Sequence, residues 1–312
     1  MDNYIFGPVP SRRLGISLGI DVIPYKTCTL DCIYCECGRT TFHTTERSSF
    51  FPPEELISEF RKFIDNKIHL DYITFSGSGE PTLNSDIGFF INEIKQISKA
   101  PIAVLTNGTL LHLPAVQEDL MHSDLILPSL DAVSEEVFKK INRPAPGITS
   151  ENIIAGLKSL SKKYKGEIWL EIFISKGIND SESELNKLRN AVEQINPDKI
   201  QLNSLDRPPA YKEAETADRE LLEMIVDKWE GLPVEIIKRT ATRKEISSFS
   251  KDLESSILQT ISRRPLTIED LMTLTGKKRL ELLKYIDVLE KEKIIRSEIV
   301  DNKIFFRTGQ KK

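Results

Sequence analysis

The sequence predicts an α/β fold, an open partial (β/α)6 barrel with parallel strands followed by a small C-terminal winged helix-turn-helix domain. Two observations predict it. Between residues 17 and 205, six short apolar runs alternate with amphipathic stretches, the rhythm of a parallel sheet covered by helices. After a polar stretch rich in Ser and Thr, the rhythm changes to three helices and a hairpin. Six units are too few for a closed eight-fold barrel, so the barrel is predicted to be open.

Each barrel strand is predicted where a short apolar run ends in a polar or glycine-containing turn. These runs are Ser17–Ile23, Tyr72–Ser76, Ile102–Leu105, Leu125–Ser129, Ile168–Ile174 and Lys199–Leu205. The stretches between them carry apolar residues at helical spacing, such as Ile87, Ile91 and Ile94 on one face. The predicted helices are Pro53–Asn66, Ser85–Ser98, Leu113–Met121, Glu135–Ile141, Ser150–Tyr164 and Glu182–Ile195. Ligands of such sheets bind at the carboxyl ends of the strands, where the functional site is expected.

Three segments are predicted along the chain. Residues 1–238 form the barrel and its extensions, which include a helix at Ala217–Glu230 and a possible edge strand at Val234–Lys238. Residues 239–250 form a polar linker, and residues 251–312 form the winged-helix-like domain. The elements predicted in that domain are the helices Leu253–Ser262, Ile268–Thr275 and Lys278–Lys291, with Thr267 as a helix cap, and the hairpin strands Ile294–Val300 and Lys303–Arg307.

Composition indicates a protein of a reducing compartment. All four cysteines lie within ten residues, which argues against a disulfide scaffold. The N-terminus lacks a signal pattern, and no apolar run approaches the ~18 residues of a membrane span, so we expect a cytoplasmic protein without a membrane partner. The net charge is −4, yet residues 250–312 carry 14 Lys and Arg against 10 Asp and Glu. That tail either contacts something anionic or is a plain solvated surface.

The most informative motif is the spacing of Cys28, Cys32 and Cys35 on one short loop. Three thiolates can hold three irons of a [4Fe–4S] cube and leave the fourth iron open to a small molecule. The alternative is a structural zinc site in which Cys37 supplies a fourth thiolate. Zinc sites usually pair two well-separated cysteine units, so a cluster is favoured, and Cys37 is then not a ligand.

This loop resembles that of the radical SAM enzymes. Two further segments, Phe6–Gly15 and Asn203–Pro209, are similar to the wyosine-synthase-like branch of those enzymes. The resemblance implies that the open iron binds S-adenosylmethionine (SAM). It also implies that a one-electron donor such as flavodoxin or ferredoxin drives SAM cleavage. The resulting 5'-deoxyadenosyl radical then abstracts hydrogen from a substrate.

The residues expected to contact SAM fall mostly at predicted strand ends. Tyr34 stands where the family places an aromatic residue against adenine. Gly77 and Gly79 allow a ligand close to the backbone, and Glu80 offers a carboxylate to the methionine ammonium. The remaining candidates for cofactor contact are Thr106, Asn107, Ser129, Asp131, Glu171, Asn203 and Leu205.

Several of these residues also have a purely structural interpretation. Tyr34 would pack against the cysteine loop, Asp131 or Ser134 would cap a helix, and Glu171 would form an outward salt bridge. Three arginines are candidates for substrate contact because guanidinium groups bind carboxylates and phosphates in pairs of hydrogen bonds. They are Arg12, Arg13 and Arg207, and fold-stabilising ion pairs are the alternative for them.

The substrate stays open at this point. RNA, as in tRNA modification, is suggested by the nearest resemblance and by the basic tail, whereas a peptide or protein is the rival because winged helices also bind peptides. The chain has no cysteine after Cys37, although wyosine synthases carry additional cluster cysteines. A non-enzymatic iron–sulfur sensor joined to a DNA-binding domain is the alternative of a different class.

Overall fold

The computed structural model describes residues 4–64, 70–205, 209–237, 254, 257–258, 261, 265–300 and 303–309. Its main feature is an eight-stranded sheet. The strands up to residue 237 are β1 (Ile5–Ser11), β2 (Gly15–Ile20), β3 (Thr27–Cys28), β4 (Phe42–His43), β5 (Tyr72–Phe75), β6 (Ile102–Thr106), β7 (Leu125–Pro128), β8 (Glu167–Phe173), β9 (Lys199–Asn203) and β10 (Val234–Ile236). The short strands β3 and β4 pair with each other, and the other eight form the main sheet in the order β1-β2-β5-β6-β7-β8-β9-β10.

The sheet is parallel from β2 to β10, and only β1 runs antiparallel. The six predicted barrel strands are therefore confirmed as neighbours in chain order. Strand β10 is confirmed as an edge strand. Strand β1 was not predicted, because Pro8, Pro10 and Gly7 make its sequence resemble a loop. An edge position tolerates those prolines, since one side of the strand needs no partner.

Helices connect the parallel strands and cover one face of the sheet. They are α1 (Pro53–Phe63), α2 (Ile87–Ile97), α3 (Pro114–Leu120), α4 (Glu135–Asn142), α5 (Ser150–Ser161), α6 (Glu182–Ile195) and α7 (Arg219–Lys228). Each lies within a few residues of its predicted range. None of the described helices is both long enough and apolar enough to cross a membrane.

Alternation along the strands separates two apolar layers. In β8, Leu170 and Ile172 belong to the large core that the helices cover. The opposite face carries a smaller cluster, in which Trp169 packs with Leu125 and Leu127 of β7. Further along that face, towards the carboxyl end of β8, stand Glu171 and Phe173. The inner face is thus apolar towards one end of the strands and carries polar groups towards the carboxyl end.

The described C-terminal residues form α8 (Ile268–Thr275), α9 (Arg279–Lys291) and an antiparallel pair of strands, β11 (Ile295–Val300) and β12 (Lys303–Thr308). They have their own apolar cluster, which includes Leu271, Leu282 and Phe306. Thr267 caps α8 as predicted, in a reciprocal capping box with Asp270. The winged-helix topology and the three-segment division stay predictions. The linker and most of the predicted helix Leu253–Ser262 lie outside the described residues.

This C-terminal unit touches the barrel beside the cysteine loop. The Lys278 ammonium lies 3.3 Å from the buried carboxylate of Asp21, just after β2. The Arg279 guanidinium donates to the backbone oxygen of Glu36 over 3.4 Å. The start of α9 therefore contacts the segment that carries the predicted ligands.

Candidate functional site

The cysteine loop follows β2 and is fixed by backbone hydrogen bonds to the end of α4. The amide of Asp31 donates to the carbonyl of Asn142, and the amide of Ile33 donates to the carbonyl of Ile141, over 3.1 and 3.0 Å. The amide of Glu80, after β5, donates to the carbonyl of Thr27 over 3.1 Å. The loop therefore lies across the carboxyl edge of the sheet, as the strand-end argument predicts.

Each of the three predicted ligand thiols has a nitrogen donor beside it. Asn107, which follows β6, places its side-chain amide 3.5 Å from Cys28 Sγ. Asn142, at the end of α4, places its amide 3.4 Å from Cys32 Sγ. Lys26 Nζ lies 3.2 Å from Cys35 Sγ. Donors of this kind stabilise sulfur that carries negative charge, which is the form that binds iron.

The thiol pKa values show what burial and these donors do. Burial, with a smaller contribution from the charge of Glu80, raises the pKa of Cys28 to about 12. Burial also raises the pKa of Cys32 well above its ordinary value. A hydrogen bond from Cys37, helped by the Lys26 ammonium, lowers the pKa of Cys35 to about 6. Because ligating sulfur must be a thiolate, metal binding at the two buried thiols has to release protons.

Cys37 differs from the other three cysteines. It is 8% exposed, and its sulfur lies 3.8 Å from the Gly77 carbonyl, so Cys37 borders both Cys35 and the segment after β5. Among the described residues, no three Cys, His, Asp or Glu side chains gather as the ligand shell of a single metal ion. A tetrahedral zinc site would need that convergence. Cluster ligands bind separate irons, so the chemistry of this donor set fits the cube better than zinc.

The glycine segment after β5 packs directly on the cysteine loop. A Cβ at Gly79 would overlap the Thr27 carbonyl, and a Cβ at Gly77 would overlap the Asp21 carboxylate. Gly79 therefore requires glycine because the obstacle is backbone, whereas a side chain at Gly77 would force the Asp21 carboxylate to move. The sequence predicted closeness to a ligand at these glycines. The structure shows closeness to the protein's own loop, and a ligand contact there stays a prediction.

Glu80 is a buried hub between the ends of β5 and β6. Its carboxylate is bonded to hydroxyls of Thr82 and Thr106, each over 2.6 Å, and to the backbone amide of Asn107 over 2.7 Å. The residue is 2% exposed, and burial raises its pKa despite these bonds. Thr106 is equally engaged, since its hydroxyl also accepts from the Gly108 amide over 3.1 Å. Contacts of both side chains with SAM were predicted and stay predictions.

Asp131 joins the cysteine loop to β8. Its carboxylate accepts from the Tyr34 hydroxyl over 2.5 Å, the Asn142 amide over 2.7 Å and the Phe173 backbone amide over 2.9 Å. The Tyr34 ring stacks on Phe173 with centroids 3.8 Å apart. Burial raises the pKa of Asp131 to about 6. Tyr34 thus packs against β8 as well as the loop, and its predicted contact with adenine stays a prediction.

The helix-capping alternative is wrong for Asp131, and it holds for Ser134 only in position. Asp131 bonds as described above, and Ser134 occupies the N-cap position of α4 without a capping bond from its side chain. The Glu184 carboxylate of α6 accepts from the amides of Val133 and Ser134 instead, over 2.6 and 2.9 Å. Ser129 lies beside Glu171 through a single bridge that extends the pairing of β7 and β8.

Glu171 pairs within the barrel. The Arg13 guanidinium lies 2.6 Å from one carboxylate oxygen, and the Asn203 amide donates to the other over 2.6 Å. Both charged side chains are 17% exposed. Glu171 lies on the inner face of the sheet, and its partner Arg13 is one of the arginines predicted to contact the substrate. The ion-pair alternative for Arg13 is therefore present in the structure.

Of the two remaining arginines, the structure describes Arg12. Arg12 pairs with Glu36, between Cys35 and Cys37, over 3.4 Å. It also lines a cavity of about 600 Å³ together with Asn203 and Leu205, two of the predicted cofactor residues. Arg207 lies outside the described residues. The predicted substrate role of all three arginines stays a prediction.

Sequence reasoning missed three residues of the site. Lys26, Asn142 and Phe173 contact Cys35, Cys32 and Tyr34, respectively. Lys26 precedes the motif by two residues and offered a signal, since a cation beside thiolates lowers their pKa. Asn142 and Phe173 offered none, because only the fold brings them to the loop.

A family model and several relatives match this chain. A model of the radical SAM superfamily matches residues 22–188. A UPF0026 protein of Methanocaldococcus jannaschii is 32% identical over 307 residues, which cover 96% of this chain and 94% of that protein. A protein of Brachyspira hyodysenteriae named GTPase Obg is 37% identical over 298 residues, which cover 95% of this chain. The chain spans 44% of that relative's length.

The fold has a counterpart among solved structures. A radical SAM methyltransferase from Sphaerobacter thermophilus superposes with a TM-score of 0.50 at 17% identity. The match covers 70% of this chain and 65% of that one. At this identity the likeness concerns the fold alone.

Proposed function

The chain belongs to the radical SAM superfamily, and from that premise we propose that it is an enzyme that cleaves SAM reductively at a [4Fe–4S] cluster held by Cys28, Cys32 and Cys35. When bound, the cluster supplies an electron and an open iron, which turn SAM into a source of the 5'-deoxyadenosyl radical that takes hydrogen from a substrate. A one-electron donor such as flavodoxin or ferredoxin is part of this proposal. The family membership favours an enzyme over a non-enzymatic sensor.

One observation carries the proposal. The three thiols lie on one loop at the carboxyl edge of a parallel sheet, and each has its own nitrogen donor: Asn107, Asn142 or Lys26. These donors come from β6, from α4 and from the loop itself, so three separate parts of the fold converge on the ligand set. A loop that only closed a turn would not need buried donors aimed at sulfur.

We propose that the groups around the cluster bind SAM by orienting polar atoms at the strand ends. Backbone groups of the Gly77–Glu80 segment and the Ser129 hydroxyl would contact the methionine end in this proposal. Asn203 and Leu205 line a cavity of about 600 Å³, and we propose that the nucleoside end of SAM binds there. Tyr34, which donates to Asp131 and stacks on Phe173, holds the cysteine loop against β8.

The test is anaerobic reconstitution with iron and sulfide. We expect about four irons per chain, and 5'-deoxyadenosine after addition of SAM and dithionite. Cys32→Ala should lose both the irons and the product. The matched control is Cys37→Ala, which removes a thiol from the same loop. A protein that carries the full cluster, binds SAM and still forms no 5'-deoxyadenosine would refute the proposal.

For the substrate we propose RNA, with tRNA modification as the specific form of that proposal. The surplus of Lys and Arg in residues 250–312 supports an anionic partner. A peptide or protein bound by the C-terminal unit is the second candidate. Mass spectrometry of RNA and of proteins from cells with and without the gene decides between them. A modification lost only from the protein pool would refute the RNA proposal.

A further inference from the structure

Lys26 is a buried cation at the base of the cysteine loop. It is 3% exposed, although lysine is almost never fully buried without a partner. Its backbone has φ of 57°, in the left-handed region that side chains other than glycine seldom adopt. A residue that is both buried and held in this conformation is constrained by its surroundings.

The backbone of Lys26 is held by the strand that follows the cysteines. Its carbonyl accepts from the amides of Thr41 and Phe42 over 3.0 and 3.1 Å. The left-handed turn redirects the chain between Tyr25 and Thr27, and the Lys26 side chain then extends towards Cys35. The ammonium ends 3.2 Å from Cys35 Sγ.

The partner of this ammonium is sulfur. In the part of the chain that the structure describes, no carboxylate forms an ion pair with Lys26. Its nearest polar contact is the Cys35 sulfur, and Cys37 and Cys28 are the other groups that raise the pKa of Lys26. The positive charge of Lys26 therefore acts on the predicted cysteine ligands, in surroundings where water does not screen it.

We propose that Lys26 raises the reduction potential of the cluster by donating to the Cys35 sulfur. This rests on the proposed function, because it requires the cluster at Cys28, Cys32 and Cys35. One-electron reduction adds a negative charge to the cluster, and a fixed cation stabilises the reduced form more than the oxidised form. The electron comes from an external low-potential reductant, and Lys26 keeps its proton throughout. Lys26 is thus a tuning residue that acts through Cys35.

Neutralising Lys26 should make reduction harder. Lys26→Met keeps an unbranched side chain of similar length on the same backbone. It removes only the charge and the hydrogen-bond donor of the ammonium. We expect the equilibrium constant for one-electron reduction to fall about tenfold, equivalent to a shift of about −59 mV. Lys26→Arg keeps a cation and should stay within about a factor of three of the wild type.

The measurement is an anaerobic redox titration of the reconstituted protein, followed by electron paramagnetic resonance of the reduced cluster. Lys199→Met is the matched control. That lysine is also partly buried, and it lies over the Trp169 ring near the amino end of β9. It should leave the potential unchanged. Equal potentials in the wild type and Lys26→Met, or equal shifts in Lys26→Met and Lys26→Arg, would overturn the proposal.

A second measurement covers the case in which Lys26→Met fails to load iron. The wild-type protein is grown with lysine labelled with ¹⁵N at the ammonium, and pulsed paramagnetic resonance then looks for ¹⁵N coupling to the reduced cluster. We expect a coupling that Lys26→Arg removes, and its absence in the wild type would overturn the proposal. The proposed function is read out separately, by 5'-deoxyadenosine. A shifted potential without 5'-deoxyadenosine would refute the proposed function and would still support the role of Lys26.

Discussion

Glu80→Gln distinguishes two roles for the buried carboxylate after β5. The sequence predicted that Glu80 binds the SAM ammonium, whereas the structure shows it bonded to groups of the protein. The substitution keeps the shape of the side chain and removes its charge. If the carboxylate stabilises the fold, the protein without cofactors should unfold more easily. If it acts on SAM alone, only the affinity for SAM should change.

The magnitude follows from the four hydrogen bonds. One carboxylate oxygen accepts from the Thr82 amide and from the hydroxyls of Thr82 and Thr106, and the other accepts from the Asn107 amide. A glutamine can present its oxygen to the first three donors, but its NH2 group then faces the Asn107 N–H. The lost bond to a charged acceptor is worth about 1.5–3 kcal/mol. Glutamine carries no charge, so it avoids the cost of burying one, which is what raises the pKa of Glu80. This offsets part of the loss, and we expect the free energy of unfolding to fall by about 2 kcal/mol.

The assay is thermal unfolding of the protein without cofactors, under anaerobic conditions. A loss of about 2 kcal/mol should lower Tm by about 4–8 °C. Glu46→Gln is the matched control, because Glu46 is exposed and its replacement should stay within about 0.5 kcal/mol of the wild type. SAM affinity is measured in parallel on the reconstituted proteins. An unchanged Tm together with about a tenfold loss of SAM affinity would refute the structural role.

Three further predictions follow from the site. Cys37→Ala should keep about four irons per chain, and cluster loss in an iron assay would favour a four-thiolate site. Burial raises the pKa of Asp131 to about 6, so the folded state holds that proton more tightly than the unfolded state. Its contribution to stability should be full below pH of about 4 and fall as the pH rises to about 6. Asp131→Asn should flatten that slope in denaturant titrations, and an unchanged slope would contradict this. Removal of residues 251–312 should keep SAM cleavage and weaken binding of the macromolecular substrate. For nucleic acid, the lost binding should depend on salt with a slope of about −0.7 to −0.9 per phosphate.

The sheet could be predicted from the sequence because its signal is local. Each parallel strand is an apolar run between turn residues, and the helices between the strands show clear apolar faces. Strand β1 was not predicted because its prolines and Gly7 are typical of a loop. Only an edge position tolerates such residues in a strand.

The cysteine motif could be predicted because its spacing is contained in eight residues. The partners of the site residues could not, because they come from distant parts of the chain. Glu171 is an example: a carboxylate inside an apolar strand indicated a polar partner, but nothing indicated Arg13, which lies 158 residues away. Asn142 stands 110 residues from Cys32, and only the packing of α4 under the loop brings them together.

The close approach at Gly79 has a consequence for protein engineering. Because a Cβ there would overlap the Thr27 carbonyl, the cysteine loop and the glycine segment after β5 pack too closely to be changed independently. A designer who transplants the cysteine motif into another barrel must therefore transfer the glycine segment with it. The same holds for homologous recombination of barrel fragments. A crossover between residues 35 and 77 preserves this contact only if the parent that supplies the C-terminal fragment has glycine where Gly79 stands.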